Sequence, residues 1–261
     1  MLLRLSTLLL IAILSLPASL AWSDALVRDE TARAVEIVDG DTLVLENGRE
    51  IRLVGLQAPK LPLGRRNFRS WPLAEESKQA LADIALGREL MLAYGGARQD
   101  RHERLLAHLF RTGDDLWVQG EMLRLGMARV YSFPDNRAAV ADMLALESEA
   151  RAARRGIWAH PYYRILDHRE AGSHIDSFQL VEGTVLKAER KGARVYLNFA
   201  ADFRSDFTIT IERRAGRLFQ EMNVDPLTLA GRTIRVRGWL KEWNGPMIEA
   251  THPEQIEVLE R

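Results

Sequence analysis

The chain has 261 residues, 47% of them hydrophobic and 28% charged, enough apolar matter for one or two compact cores and too much for a disordered tail or a collagen-like fibre. Lysine plus arginine and aspartate plus glutamate both total 36, so the formal net charge is zero. No global field draws such a chain to nucleic acid or to an anionic membrane, and any affinity for phosphate must be local. Cysteine is absent, which excludes disulfide scaffolds, thiolate zinc sites, thiol nucleophiles and a cysteine-linked lipid anchor.

At the amino end, Arg4, the apolar run from Leu8 to Leu16 and the small residues Ser19 and Ala21 compose a signal peptide over residues 1–21. The run is too short for a membrane span and is broken by Pro17, so cleavage is expected, followed by a periplasmic or secreted mature chain with no stable membrane insertion.

Asp39-Gly40 and Asn47-Gly48 are turn signals between the β-rich runs Ala34 to Val38, Thr42 to Leu45 and Glu50 to Val54, which predicts a β-meander. A helix follows, opened by Ser70 and Pro72 and closed by Gly87, with Ala74, Ser77, Leu81 and Ile84 on one face. Strands resume at Glu89 to Tyr94 and Leu105 to Arg111, then a short helix spans Val118 to Leu125. A last helix starts near Asp135, stops at Gly156 and aligns Ala139, Met143, Leu146, Ala150 and Ala153. Residues 30–158 therefore read as one α+β domain.

Residues 159–177 lose periodicity and read as a linker pinned by Tyr162 and Tyr163. Residues 178–261 read as a second domain, with strands at Phe178 to Ala188, Ala193 to Phe199, Phe207 to Ile211, Thr233 to Leu240 and Met247 to Ala250, and a helix at Gly216 to Met222. Five short strands with a helix between the third and fourth is the order of a small OB-like β-barrel. Arg194, Tyr196, Arg235, Arg237, Trp239 and Trp243 interleave cations with rings, a texture that suits single-stranded nucleic acid on a barrel face or simply a solvated one. The six histidines show no metal-binding spacing, and no zinc site is expected.

The chemistry concentrates in the first domain. Asp39-Gly40-Asp41-Thr42 is a turn carrying two carboxylates, Arg52 lies on the strand leading to Gln57-Ala58-Pro59-Lys60, and Asp100-Arg101-His102-Glu103-Arg104 follows a hairpin. Carboxylates hold hard cations, and guanidinium groups grip a phosphate bidentately and stabilise its transition-state charge. In order and spacing these segments, with Gly126 to Val130 and Gly156 to Trp158, resemble the staphylococcal-nuclease-like (thermonuclease) family. Its motifs are a DGDT turn, an I-R-L-x-G-I-D-A-P-E strand end, a D-x-x-G-R segment, a G-L-A-x-V run and a helix ending near G-x-W.

The resemblance implies a five-stranded OB barrel carrying three helices and a calcium-dependent phosphodiesterase acting on DNA and RNA, with no organic cofactor. It assigns Asp41 to the metal, Asp39 behind it, the Ala58 carbonyl as a further ligand, and Arg52 and Arg104 to the phosphate. Arg101 and His102 fall where relatives touch a nucleotide phosphate. Tyr131 and Phe133 fall where rings flank the base, or else pack between barrel and last helix.

The departures are specific. Gln57 stands where the family has a calcium-ligating Asp, Lys60 where it has the Glu that positions or deprotonates the attacking water, and Glu103 where it has a glycine. The matched positions change from a net charge of −2 to +1, so calcium or another divalent cation should bind weakly while a phosphate anion remains attracted. Loss of the general base costs ~10²- to 10⁴-fold in rate. Two expectations follow: a weak, metal-assisted nuclease in which Gln57 lends an oxygen and Lys60 serves as base, or an inactive module binding nucleic acid, another anion or a protein.

Overall fold

The computed structural model describes residues 25–202 and 206–259; the expected signal peptide lies outside them. The first unit is a closed five-stranded barrel built from β1 (Val27–Asp39), β2 (Thr42–Leu45), β3 (Glu50–Leu53), β5 (Glu89–Tyr94) and β6 (Leu105–Arg111), in the order β1-β2-β3-β6-β5. β1 is far longer than its apolar core Ala34 to Val38 suggests. Its first half pairs with β5 and its second with β2, so one strand closes the ring. A small ribbon, β4 (Leu56–Gln57) with β7 (Arg129–Val130), lies beside the barrel.

Three helices cover this barrel: α1 (Ala74–Ala85), α2 (Val118–Arg124) and α3 (Val140–Ala152). Leu81, Met122, Leu123 and Met143 join Leu43, Ile51, Leu92 and Leu109 in one core. Helix α3 starts later than expected, and Ala153 faces outward while Glu147 is buried. Gly40 is the contact point between turn and helix: a Cβ there would meet Ser77 Oγ at 2.0 Å and the Ala58 side chain at 2.7 Å. Only glycine lets the acidic turn lie against both.

The segment 159–177, expected as an aperiodic linker, carries short elements of its own. It holds short 3-10 turns at Gly156–Ala159, Pro161–Tyr163 and His168–His174 and a strand, β8 (Leu166–Asp167). Tyr163 is buried and donates to the Pro72 carbonyl at 2.7 Å, and Asp167 with Glu170 forms a capping box.

The second unit contains β9 (Ser177–Thr184), β10 (Lys187–Lys191), β11 (Arg194–Asn198), β12 (Thr208–Ile211), β13 (Thr233–Glu242), β14 (Pro246–Glu249) and β15 (Ile256–Val258), with helix α4 (Arg213–Glu221) between β12 and β13. Its sheet runs β10-β11-β12-β14-β13-β9-β8, with β15 on β13. The expected strand from Phe178 to Ala188 is broken at Val185 and Leu186, which bond instead to Arg232, Gly231 and Asn198. β9 and β10 thereby act as the two halves of one bent strand, and the connectivity repeats that of the first barrel, including the parallel pair β12–β14 that matches β3–β6.

The two units are tied by buried ions. Arg237 on β13, 1% exposed, bonds Glu147 of α3 at 2.8 Å and Glu257 of β15, and Arg151 joins both acids. Arg137 grips Glu254, and Ser132 bonds His252 at 2.7 Å. Arg235 pairs with Glu182 and Glu257. The arginines expected on a nucleic-acid face of the second unit are thus all held by carboxylates: Arg237 meets Glu147 of the first domain, while Arg235 and Arg194 pair with acids of their own unit.

Candidate active site

The β1–β2 turn, the β3–β4 segment and the loop after it converge. Asp41 is fully buried and Asp39 is 3% exposed. The Asp41 carboxylate accepts the Ala58 N–H at 2.8 Å and the Thr42 hydroxyl at 3.2 Å. It also meets the Arg52 guanidinium at 3.3 Å. The Lys60 ammonium sits 2.6 Å from each Asp41 oxygen and 3.2 Å from Asp39 Oδ2. Burial opposes ionisation of Asp41, yet Arg52, Lys60 and the Ala58 N–H outweigh it and hold the carboxyl well below the usual range. Burial and the Asp41 charge push the Asp39 carboxyl up, with Lys60 acting against them.

Gln57 does not face this cluster with its oxygen. Its Oε1 accepts two bonds from the buried Arg129, at 3.0 and 2.7 Å, and Arg129 also reaches the Phe178 carbonyl at 2.9 Å. The guanidinium lies 4.7 Å from the Phe178 ring centroid, 5.9 Å from Tyr163 and 6.0 Å from Trp71, and burial lowers its pKa to about 10. The only sequence cue to this clamp is that Arg129 occupies the variable place of the G-L-A-x-V run, on the ribbon partner of Gln57.

The donor set does not fit a divalent cation. A hard ion needs six to eight oxygens with enough negative charge. Here the two carboxylates already enclose an ammonium, and Gln57 gives its oxygen to Arg129. Among the described residues no group of three or more metal-ligating side chains comes together. Lys60 and Arg52 are the counter-charges of Asp41 in this arrangement.

The two arginines that the resemblance assigns to a phosphate, Arg52 and Arg104, are both held by neighbours. Arg52 is fixed by donating to the Leu53 and Leu56 carbonyls, both at 2.8 Å. Asp100 orders the next loop, accepting the His102 N–H at 2.8 Å, the Arg104 N–H at 3.1 Å and Arg104 Nε at 2.8 Å. Glu103 completes that loop at φ 65°, a conformation suited to the glycine it replaces. Arg52, Arg101, His102, Arg104, Tyr131 and Phe133 line one cleft of about 490 Å³; Asp41 and Lys60 lie behind Arg52 and outside its walls. Tyr131 packs edge-on against Phe133 at 4.8 Å and against Phe178 of the second unit at 4.7 Å. Tyr131 thus lines the cleft while its ring packs on Phe178 of the second unit, a partner other than the last helix.

A family model, staphylococcal nuclease homologue, matches residues 50–160, which include Arg52, Gln57, Lys60 and Arg104. Protein ParB of Escherichia coli is 34% identical over 155 residues, covering 56% of this chain and 78% of that protein. An uncharacterized endonuclease of Escherichia coli O157:H7 is 28% identical over 137 residues, 51% of this chain and 80% of that protein. A probable staphylococcal-like nuclease, CAN2 of Oryza sativa subsp. japonica, is 29% identical over 138 residues, 52% of this chain and 33% of that protein. These likenesses support a nuclease-type function, and with the barrel, its three helices and the paired arginines they establish that the chain belongs to the staphylococcal nuclease homologue family.

Proposed function

We propose that this protein is exported, binds single-stranded DNA or RNA through its phosphates and hydrolyses phosphodiesters only weakly. The observation that carries the reading is the division of the site: Arg52 and Arg104 reach the cleft fixed by their neighbours, while Lys60 fills the space between Asp39 and Asp41. Two guanidinium groups grip the anion and stabilise charge developing on it. Tyr131 and Phe133 offer sequence-tolerant stacking to a base. No carboxylate stands at position 60 to position or deprotonate water, so turnover falls by the ~10²- to 10⁴-fold that a general base supplies.

The test is fluorescence anisotropy of labelled octathymidylate and octauridylate, beside a gel assay of the same oligonucleotides. Binding is expected in chelator, with Arg52→Ala and Arg104→Ala each weakening it by about tenfold or more and reducing its salt dependence. Turnover is expected to stay slow. Absence of binding at low salt, or unchanged affinity in both variants, would refute the reading.

A further inference from the structure

The second unit carries a cleft of its own. Along β12 the side chains alternate, Ile209 and Ile211 entering the core. Thr208 and Thr210 therefore point to the outer face, where they would ordinarily be wet. They are instead 7% and 2% exposed, and Asn198 beside them on β11 is 6% exposed. What shields them is the wall of a cleft of about 160 Å³ that also includes Tyr196, Trp243 and Met247. Among the described residues the hydroxyls have long contacts: Thr208 reaches Asn198 Oδ1 at 3.3 Å and Asp206 at 3.4 Å, and Thr210 meets the Met247 sulfur at 3.6 Å. Buried hydroxyls with long, weak bonds are groups that a ligand can engage at a net gain.

Position supports the same conclusion. Arg52 and Leu106, partners in the parallel pair of the first barrel, line its phosphate cleft. Thr208 and Met247, partners in the corresponding pair of the second, line this one. The two barrels therefore present a cleft on the same face, which in small barrels of this order receives oligonucleotides or oligosaccharides.

The lining decides between those classes. Glu189 at the rim pairs with Lys187 at 2.7 Å and Lys191 at 2.9 Å, and Arg194 is taken by Glu212 at 2.6 Å. The two charged residues of the lining, Glu189 and Lys191, cancel, so the cleft walls carry no excess charge for a phosphate backbone, whose binding depends on it. An amide, two hydroxyls and two rings, one of them Trp243 at 66% exposure, suit a ring with an apolar face and a hydroxylated edge. We propose that this cleft binds one pyranose unit of an uncharged oligosaccharide, independently of the nucleic-acid site in the first domain.

The test is tryptophan fluorescence and calorimetric titration of the full chain with chitotetraose, cellotetraose and maltotetraose, each beside octathymidylate. At least one sugar is expected to saturate with a Kd below about 1 mM. Trp243→Ala should abolish that binding and Thr210→Val, which keeps shape and removes the hydroxyl, should weaken it about tenfold. Both variants should keep the wild-type circular dichroism and the wild-type affinity for octathymidylate. Failure of all three sugars to saturate by about 10 mM, or loss of octathymidylate affinity in Trp243→Ala, would overturn the proposal.

Discussion

The Lys60 ammonium lies 2.6 Å from both oxygens of the Asp41 carboxylate, which is itself fully buried. Arg52, 3.3 Å away, is the second cation on that group. Truncating Lys60 leaves a buried carboxylate with Arg52 as its one cation, a loss between that of an exposed pair and that of a fully buried one. Lys60→Ala is expected to lower stability by about 2 kcal/mol at neutral pH. The folded Asp41 carboxyl is depressed, so its contribution is present above the unfolded carboxylate range, near pH ~4, and is lost as the pH falls. Urea unfolding of both proteins should therefore show the gap shrinking between pH 7 and pH ~3.

His252 reports on the union of the domains. It is fully buried, bonded to Ser132 and to Thr251 at 3.0 Å, and burial lowers its pKa to about 4, with Glu254 opposing and Arg137 and Arg237 adding to the shift. Below the ordinary value of about 6.5 the unfolded chain takes up a proton that the folded one refuses, so stability falls as pH drops from there toward the folded value. The loss reaches about 3 kcal/mol for this group, and buried His108, lowered to about 3, adds its own. Thermal melts across this range should flatten in His252→Gln.

Arg237 and Glu147 form an ion pair with 1% and 0% side-chain exposure across the interface. Glu147→Ala strips that guanidinium of one of its two acids and is expected to cost about 3–5 kcal/mol. Calorimetry of the wild type should give a single transition for both domains, since the network couples them, and the variant should separate it into two.

Glu103 holds φ 65° in the loop that presents Arg104. Glu103→Gly relieves that strain and should raise stability by roughly 1 kcal/mol, offset in part by the freer unfolded chain. Unfolding midpoints measure it, and oligonucleotide affinity should be unchanged because Asp100 continues to orient Arg104.

The first barrel was legible because its signals are local: turn pairs, alternation, and helices whose apolar spacing matches Leu81, Met143 and Leu146 in the core. The arginine cleft was legible because its residues are adjacent in sequence to recognisable turns. What escaped depends on contacts distant in the chain. Arg129 to Gln57 spans 72 positions and Arg237 to Glu147 spans 90, and a charged residue on a strand reads as solvent-facing unless its partner is known. The same reason hid the fate of position 60: a lysine in the place of a glutamate signals a changed charge, whereas its seat between Asp39 and Asp41 exists only once the turn packs on the strand end.

Calorimetric titration of calcium into the wild-type protein tests most directly whether Lys60 has taken the place of the divalent ion. No saturable heat is expected up to about 10 mM, beyond the ~10⁻⁴–10⁻³ M range of weak extracellular calcium sites, while Lys60→Glu should bring measurable binding back. Sub-millimolar calcium binding by the wild type would contradict it.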